Sequence, residues 1–246
     1  MNTKDPYLDF ASRYDLMQKE NPFEDKSRLE FYRKLFDRYN VKKILDCSCG
    51  TGSDLIRIKS LGFDIFGSDI SEAMLNIAKE KIASYVMEIP LEKKDFRHLS
   101  GHFDAVLCMT TSLPHLIEKK EILAALTSMR NVLNPDGILV LSQGMTDKQY
   151  AQKLRFFPIR NTPSHSRVMI IDYLEDEWEV HVLDLVHTAD EQSFHRSSFR
   201  YRLLLRDDYH ELLREAGFTK LEFYGDFNFS SYDIMSSNQL IIVAQK

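Results

Sequence analysis

The chain has 246 residues, 43% of them hydrophobic, enough to bury a full core as one large domain or as one domain with a substantial insertion. Its 32 Lys and Arg against 37 Asp and Glu give a formal charge of −5 with no Lys/Arg block, which disfavours a nucleic-acid surface, since that needs a basic stripe to neutralise phosphates. No stretch approaches the roughly 20 apolar residues that span a bilayer, and "MNTKDPYLDF" lacks the basic and apolar regions of a signal peptide.

A cytoplasmic chain with a small-molecule partner and no membrane is therefore expected, with homo-oligomerisation left open. The three cysteines, Cys47, Cys49 and Cys108, are an odd number at spacings unlike a CxxC motif. They read as reduced, buried small residues, and no metal is expected.

After a polar, aromatic-rich leader, "KSRLEFYRKLF" places Leu29, Tyr32, Arg33 and Phe36 at helical spacing. Strand and helix then alternate strictly. "KKILDCS" predicts a strand, "SDLIRIKSLG" a helix closed by Gly62, "FDIFGSD" a strand, and "SEAMLNIAKEKI" a helix with Ser71 as its N-cap. "FDAVLCM" predicts a buried strand, "EKKEILAALTSMRNVL" a long helix, and "NPDG" a turn into the strand "ILVLSQ". This alternation implies an α/β fold, a parallel sheet with helices on both faces.

From about Met145 to Leu205 the pattern changes, and a structureless loop of that length is improbable in a compact domain. "RVMIIDYL", "WEVHVLDLVHT" and "SFHRSSFRYRLLL" predict three strands of an antiparallel meander. "RDDYHELLREAGF" reads as a helix ending at Gly217, with "KLEFYGDF" and "QLIIVAQK" as closing strands. The expected organisation is thus a single domain over 1–246: an N-terminal helical lid (1–40), a ligand-binding core (41–144), a substrate-side insertion (145–205) and a closing helix with strands (206–246).

A strand running into Gly50 and Gly52 and then a helix lets bare backbone approach a ligand at a partially positive helix N-terminus. The third glycine of GxGxxG is missing, Leu55 following instead, which weakens a dinucleotide reading. Asp69 ends the second strand, where a carboxylate can accept both hydroxyls of a ribose. Together these features favour a ribose-bearing ligand.

"LDCSCGTG", from Leu45 to Gly52, resembles motif I of the class I S-adenosylmethionine-dependent methyltransferases: an acid, three residues, Gly, one residue, Gly. Asp69 falls on that family's ribose-binding acid, and "KKDF" is similar to its adenine-contacting motif at Asp95 and Phe96. "FDAVLCM" resembles its fourth strand. "LNPDGILVL" resembles the turn and fifth strand, with Asp136 replacing one glycine of Pro-Gly-Gly. The resemblance is strong over Ile44 to Leu141. It implies a Rossmann-like sheet, mostly parallel with the last strand antiparallel, and an antiparallel β insertion after strand 5. It also implies S-adenosyl-L-methionine as cofactor and S-adenosyl-L-homocysteine as product.

By that resemblance Asp46 lies under the methionine end, Ser48, Gly50 and Gly52 form the loop, Ile70 follows the ribose acid, and carbonyls at Cys108 and Met109 face the ammonium. The leader "SRYDLMQKENPFEDKSRLEFY" resembles that of glycine and amino-sugar N-methyltransferases. The match implies Tyr14 over the sulfonium, as cofactor-binding and catalytic residue, and Arg28 on the carboxylate. "TTSLPHL" puts His115 on the subgroup's histidine, a residue suited to accept a proton. Thr111 falls on the position of its asparagine, and Gly144 on that of the arginine that holds glycine's carboxylate.

Methyl transfer from a sulfonium is an in-line displacement in which the enzyme mainly aligns a lone pair, so the lack of a Ser/His/Asp or Cys/His constellation does not count against an enzyme. Tyr173, Asp172, His195 and Tyr201 of the insertion are candidates to touch an amine acceptor, and Arg155 or Arg160 could replace the missing arginine. The expected function is N-methylation of a small amine, poor on free glycine and better on an amine lacking that small carboxylate, such as an amino sugar or a larger polyfunctional amine. The alternatives are O- or carboxyl-methylation of a small acid or alcohol, and a non-catalytic S-adenosylmethionine-binding module. A DNA-base methyltransferase would want Asn/Asp-Pro-Pro-aromatic where this chain has "MTTSLP".

Overall fold

The computed structural model describes Asp5, residues 7–15 and residues 21–246. Part of the leader resemblance, residues 16–20, lies outside the described residues. The chain opens with a short helix α1 (Ala11–Tyr14) and a longer α2 (Lys26–Arg38), whose first turn is capped by the Asp25 side chain accepting from the Arg28 amide. Then β1 (Lys43–Asp46), α3 (Ser53–Ser60), β2 (Asp64–Asp69), α4 (Glu72–Ser84), β3 (Leu91–Lys93), β4 (Phe103–Cys108), α5 (Lys119–Asn131) and β5 (Leu133–Gln143) follow. A short α6 (Asp147–Gln152) leads to β6 (Phe156–Asn161), β7 (His165–Tyr173), β8 (Glu177–His187) and β9 (Gln192–Arg202). Helix α7 (Arg206–Glu215), β10 (Lys220–Tyr224) and β11 (Leu240–Gln245) complete it.

The main sheet has seven strands in the order β10-β11-β5-β4-β1-β2-β3. All neighbours are parallel except that β11 runs antiparallel to both β5 and β10, as expected for the last strand of a class I methyltransferase sheet. The order reverses between β1 and β4, and in open α/β sheets the crevice beyond the carboxyl ends of such strands is where ligands bind.

Strand side chains alternate between faces, so Ile44 and Leu45 of β1 enter different cores. Ile44 packs with Phe31, Leu35 and Phe36 of α2 and with Leu55 and Ala78 of α3 and α4. Leu45 packs with Leu126 and Met129 of α5 and Leu213 of α7. All eight helix side chains just named are buried, the larger ones contributing about 1.5–3 kcal/mol each.

The insertion folds as an antiparallel sheet, β6-β7-β8-β9. Trp178, Val180 and Val182 alternate along β8 on one face and meet Phe10 of the leader and Met145. Three strands were expected here and four are present. The additional one, β6, is an edge strand carrying Pro158, which an edge tolerates because the proline needs no ladder partner on its open side. Two more differences concern the core. "NPDG" is absorbed into β5, with Asp136 at φ +63° and a register shift against β4 between Phe103 and Ala105. The three-residue β3, at the sheet edge, was not expected as a strand at all.

Candidate active site

Beyond the carboxyl ends of β1 and β4 lie two cavities of about 390 and 280 Å³, with a recess of about 40 Å³ beside them. Tyr14 and Thr110 border all three, and the two large cavities also share Tyr7 and Phe199. The larger cavity is walled by the glycine loop, β2 and the Asp95 loop. The smaller lies under the insertion sheet.

The loop after β1 turns through Gly50 at φ +53° and Gly52 at φ +81°. Space is open around a Cβ built on Gly50, so this glycine is a place where backbone faces the cavity unobstructed. A Cβ on Gly52 would instead come within 3.2 Å of Ala78 Cβ, and Gly52 caps α3 beneath the loop rather than bordering a cavity. Asp69 holds the arrangement from the side: its carboxylate accepts from the Gly50 amide at 2.8 Å and from the Ser71 amide at 2.9 Å. Burial pushes the Asp69 carboxyl up, and the Ser71 and Gly50 amides pull it back. Ile70, beside it, is exposed and borders the cavity.

At the far end of this cavity, Asp95 is gripped by Arg97, whose amide and side chain donate to it at 2.8 and 3.0 Å. Burial alone would raise the Asp95 pKa, but Arg97 holds it below the usual carboxylate range. Phe96 borders the same space, as do Ser48, Met74 and Arg200.

The recess collects Asp46, Ser48, Arg28 and Met109. Among the described residues Asp46 accepts only the Ser48 amide, at 3.2 Å, and burial, followed by the neighbouring Asp54, drives its pKa well above the ordinary value. The Ser48 hydroxyl is buried without a partner among the described residues. Arg28 is engaged: it donates to Asp54 and, at 3.3 Å, to the Tyr32 hydroxyl, and lies 4.8 Å over the Phe227 ring. Asp54 in turn binds Arg57 at 2.9 Å. Cys108 is buried in the second core and borders neither cavity nor recess.

After β4, Thr110 and Thr111 both adopt positive φ, +58° and +65°, which costs a β-branched residue of order 1–3 kcal/mol. Ser142 of β5 pins them: the Thr110 amide donates to its hydroxyl at 2.9 Å and the Thr111 amide to its carbonyl at 2.8 Å. Thr111 and Gly144 both line the smaller cavity, joined by a 3.2 Å bond from the Gly144 amide to the Thr111 hydroxyl. His115 borders the larger cavity. Burial lowers its pKa to about 4, and its Nε2 meets the Tyr7 hydroxyl at 2.6 Å.

The leader lies across the cavities, held at several places besides the Tyr7–His115 contact. Asp5 accepts from the Ser71 hydroxyl at 2.8 Å, Asp15 accepts from the Thr51 hydroxyl at 2.6 Å, and Arg13 faces Asp184 of β8 at 3.5 Å. Tyr14 is thereby set between the cavities, with burial pushing its phenol up to about 12.

Tyr201 lines the smaller cavity, against His115 at 4.4 Å between ring centroids. Tyr173 donates to the Leu154 carbonyl and, like Arg160, is not part of either cavity wall. Arg155 pairs with Asp172, and His195 with Ser193, away from the cavities. Tyr7, Asp54, Trp178 and Phe199 were not singled out from the sequence. Among the described residues no group of three or more His, Cys, Asp or Glu side chains is gathered as a metal site, and no helix is long and apolar enough to cross a membrane.

The sheet order, the glycine loop at the switch point and the acid ending β2 define a class I methyltransferase fold. A family profile described as "Methyltransferase domain" matches residues 44–137. The chain is 29% identical over 230 residues to a glycine/sarcosine N-methyltransferase of Halorhodospira halochloris, covering 90% of this chain and 81% of that one. It is 26% identical over 235 residues to a dTDP-3-amino-3,6-dideoxy-alpha-D-glucopyranose N,N-dimethyltransferase of Streptomyces fradiae, covering 87% of each. A crystal structure of an S-adenosylmethionine-dependent methyltransferase from Clostridium acetobutylicum shares the fold, with TM-score 0.82 at 17% identity over 97% of this chain and 98% of that one.

Proposed function

We propose that this protein is an S-adenosyl-L-methionine-dependent N-methyltransferase of a small molecule, with the larger cavity holding the methyl donor and the smaller the amine acceptor. The observation carrying this reading is that two cavities meet at Tyr14 and Thr110, one bounded by the glycine loop and Asp69, the other free of them. Relatives named for N-methylation of glycine, sarcosine and an amino sugar support the amine.

When bound, the donor supplies an electrophilic methyl on a positively charged sulfur. Asp69 would accept from ribose hydroxyls, Asp95 and Phe96 would bound the adenine, and Ile70 would cover the ribose. The Gly50 backbone admits the ligand where a side chain would obstruct it. The unpartnered Ser48 hydroxyl and the Asp46 carboxyl fit a ligand that brings an ammonium, whose charge would draw the raised Asp46 pKa back down. Arg28, already paired with Asp54, shares its positive charge with a donor carboxylate at the recess. Tyr14 and the strained Thr110 backbone frame the line along which nucleophile and methyl must align. His115 stands on the wall of the larger cavity and backs the acceptor side through Tyr7 and Tyr201, as a neutral imidazole hydrogen-bonded to Tyr7.

The test is to incubate the protein with isotopically labelled S-adenosylmethionine and a pool of amines and acids, and to identify labelled products by mass spectrometry. A labelled N-methyl amine is expected. Labelled base-labile esters alone, or donor binding by calorimetry without any labelled product, would overturn the reading.

A further inference from the structure

The smaller cavity has a wall without a charge. Its sides are Phe10, Phe157, Trp178, Val180, Val182 and Phe199, and no Lys, Arg, His, Asp or Glu is among the described residues that line it. Its side-chain polar groups are the hydroxyls of Tyr7, Tyr14, Thr110, Thr111 and Tyr201, the Gln149 amide and the Trp178 indole N–H. The phenols do not supply charge either: burial raises Tyr7, Tyr14 and Tyr201 alike, Tyr14 to about 12.

Cations stand close behind this wall but are committed. Arg167 of β7 is buried in a pair with Asp184, and Arg155 is paired with Asp172. Gly144 and Thr111, which line the cavity at its junction with the core, bring no charge to it. At about 280 Å³ the space sits just below the roughly 300–1,000 Å³ of pockets for drug-sized ligands.

We propose that the acceptor is a compact amine with an apolar, ring-sized body and no carboxylate, phosphate or polyol. The proposal rests on the methyl-transfer reading above and narrows its acceptor. A carboxylate entering this cavity would shed its water and find no cation, a penalty of several kcal/mol. An alkylammonium entering it is pushed towards its neutral form by the same desolvation, which exposes the lone pair that must attack. That removes the need for a strong base, consistent with a His115 pKa near 4.

In the step itself, the nitrogen lone pair forms the new N–C bond as the S–C bond breaks. The S–C electron pair stays on sulfur, which becomes a neutral thioether, and the positive charge passes to nitrogen. Its proton then leaves to solvent as the product departs. The Tyr14 and Tyr201 hydroxyls, which have no hydrogen-bonding partner among the described residues, can receive the amine N–H groups.

Trp178 is the only tryptophan of the chain, lines this cavity, and stacks on Tyr201 with centroids 4.6 Å apart, so its emission reports occupancy without turnover. The probes are 1,2,3,4-tetrahydroisoquinoline and its 3-carboxylate, with glycine and glucosamine beside them, each titrated in the presence of S-adenosylhomocysteine and separately assayed with labelled S-adenosylmethionine. Tetrahydroisoquinoline should shift Trp178 emission saturably and become N-methylated, and the added carboxylate should weaken binding at least about 100-fold. Val182→Thr, nearly isosteric, should weaken tetrahydroisoquinoline about tenfold and leave S-adenosylhomocysteine affinity unchanged.

No saturable Trp178 response to tetrahydroisoquinoline overturns the proposal. Methylation of glycine or glucosamine in preference to it also overturns the proposal while leaving methyl transfer intact. Saturable binding with no methylation of any amine overturns the methyl-transfer reading itself, and with it the role of acceptor.

Discussion

The hydroxyl of Tyr7 and Nε2 of His115 lie 2.6 Å apart, 108 residues from one another in the chain, and join the leader to the turn after β4. Each ring also makes an aromatic contact with Phe199 of β9, so leader, core and insertion meet at one point.

Burial keeps His115 neutral, and this has a pH signature. The folded pKa of about 4 lies below the ordinary 6.5, so between those values the unfolded chain binds more protons than the folded one and stability rises with pH. The contribution is complete above about pH 6.5 and is lost as pH falls towards 4. Because one face of His115 opens into the cavity, solvent reduces the effect to about 1–3 kcal/mol. Urea unfolding of the protein and of His115→Phe between pH 4.5 and 7 should show this slope in the former only. Parallel pH dependences would mean that His115 titrates normally in the folded state.

Asp69 has two duties, and the variants should separate them. Asp69→Ala removes a charge-assisted acceptor from a ribose, about 1.5–3 kcal/mol, and also leaves the Gly50 and Ser71 amides without their partner. Calorimetry with S-adenosylhomocysteine should show an affinity loss of at least tenfold together with a fall in Tm. Asp69→Asn keeps one carbonyl oxygen, so it should recover much of the Tm and less of the affinity. Unchanged affinity in both variants would remove Asp69 from the ligand site.

What was legible in the sequence follows from how local each signal is. Ile44 to Leu141 alternate between strand and helix periods, and Gly62 and Gly217 sit at positive φ just past α3 and α7, so these elements could be placed from neighbours alone. The Thr146 to Gln149 capping box of α6 was equally local and marks a helix the sequence reading passed over. Edge strand β6 was hidden by Pro158, and β3 by its brevity. The cavities were not legible for a different reason. Tyr7, Trp178 and Phe199 look like ordinary core aromatics until the insertion sheet folds over the leader. Likewise, Arg28 reads as a free cation until Asp54, 26 residues on, is seen to hold it.

Arg167 and Asp184 form a buried pair between β7 and β8, with Arg167 also donating to the Arg13 carbonyl at 2.8 Å and His165 reaching Asp184 at 3.0 Å. Both members are at most 1% exposed, so removing Asp184 leaves the buried Arg167 guanidinium without a counter-charge, with the Arg13 carbonyl as a neutral acceptor. Asp184→Leu should therefore destabilise the fold by about 3–5 kcal/mol, and Arg167→Met with Asp184→Leu should restore most of it. Denaturant unfolding of the three proteins checks this. A double variant as unstable as Asp184→Leu would show that the ion pair itself, rather than the avoidance of a lone charge, stabilises the sheet.

The two glycines of the loop should fail in different ways when given a side chain. Both have positive φ, so alanine at either costs about 1 kcal/mol or more of backbone strain. Beyond that they diverge. The Gly52 methyl would press on Ala78 Cβ at 3.2 Å, where α3 and α4 pack, while the Gly50 methyl would meet nothing within 4 Å and stand at the cavity edge. Gly52→Ala should thus lower Tm by several degrees, with donor affinity in the remaining folded protein nearly intact. Gly50→Ala should cost less stability and weaken S-adenosylhomocysteine binding at least tenfold, because its methyl occupies space the ligand needs. Thermal unfolding and calorimetry on both variants decide the matter. If Gly52→Ala were the weaker binder and Gly50→Ala bound normally, the ligand would have to approach the loop from the α4 side, and the larger cavity would not be the donor site.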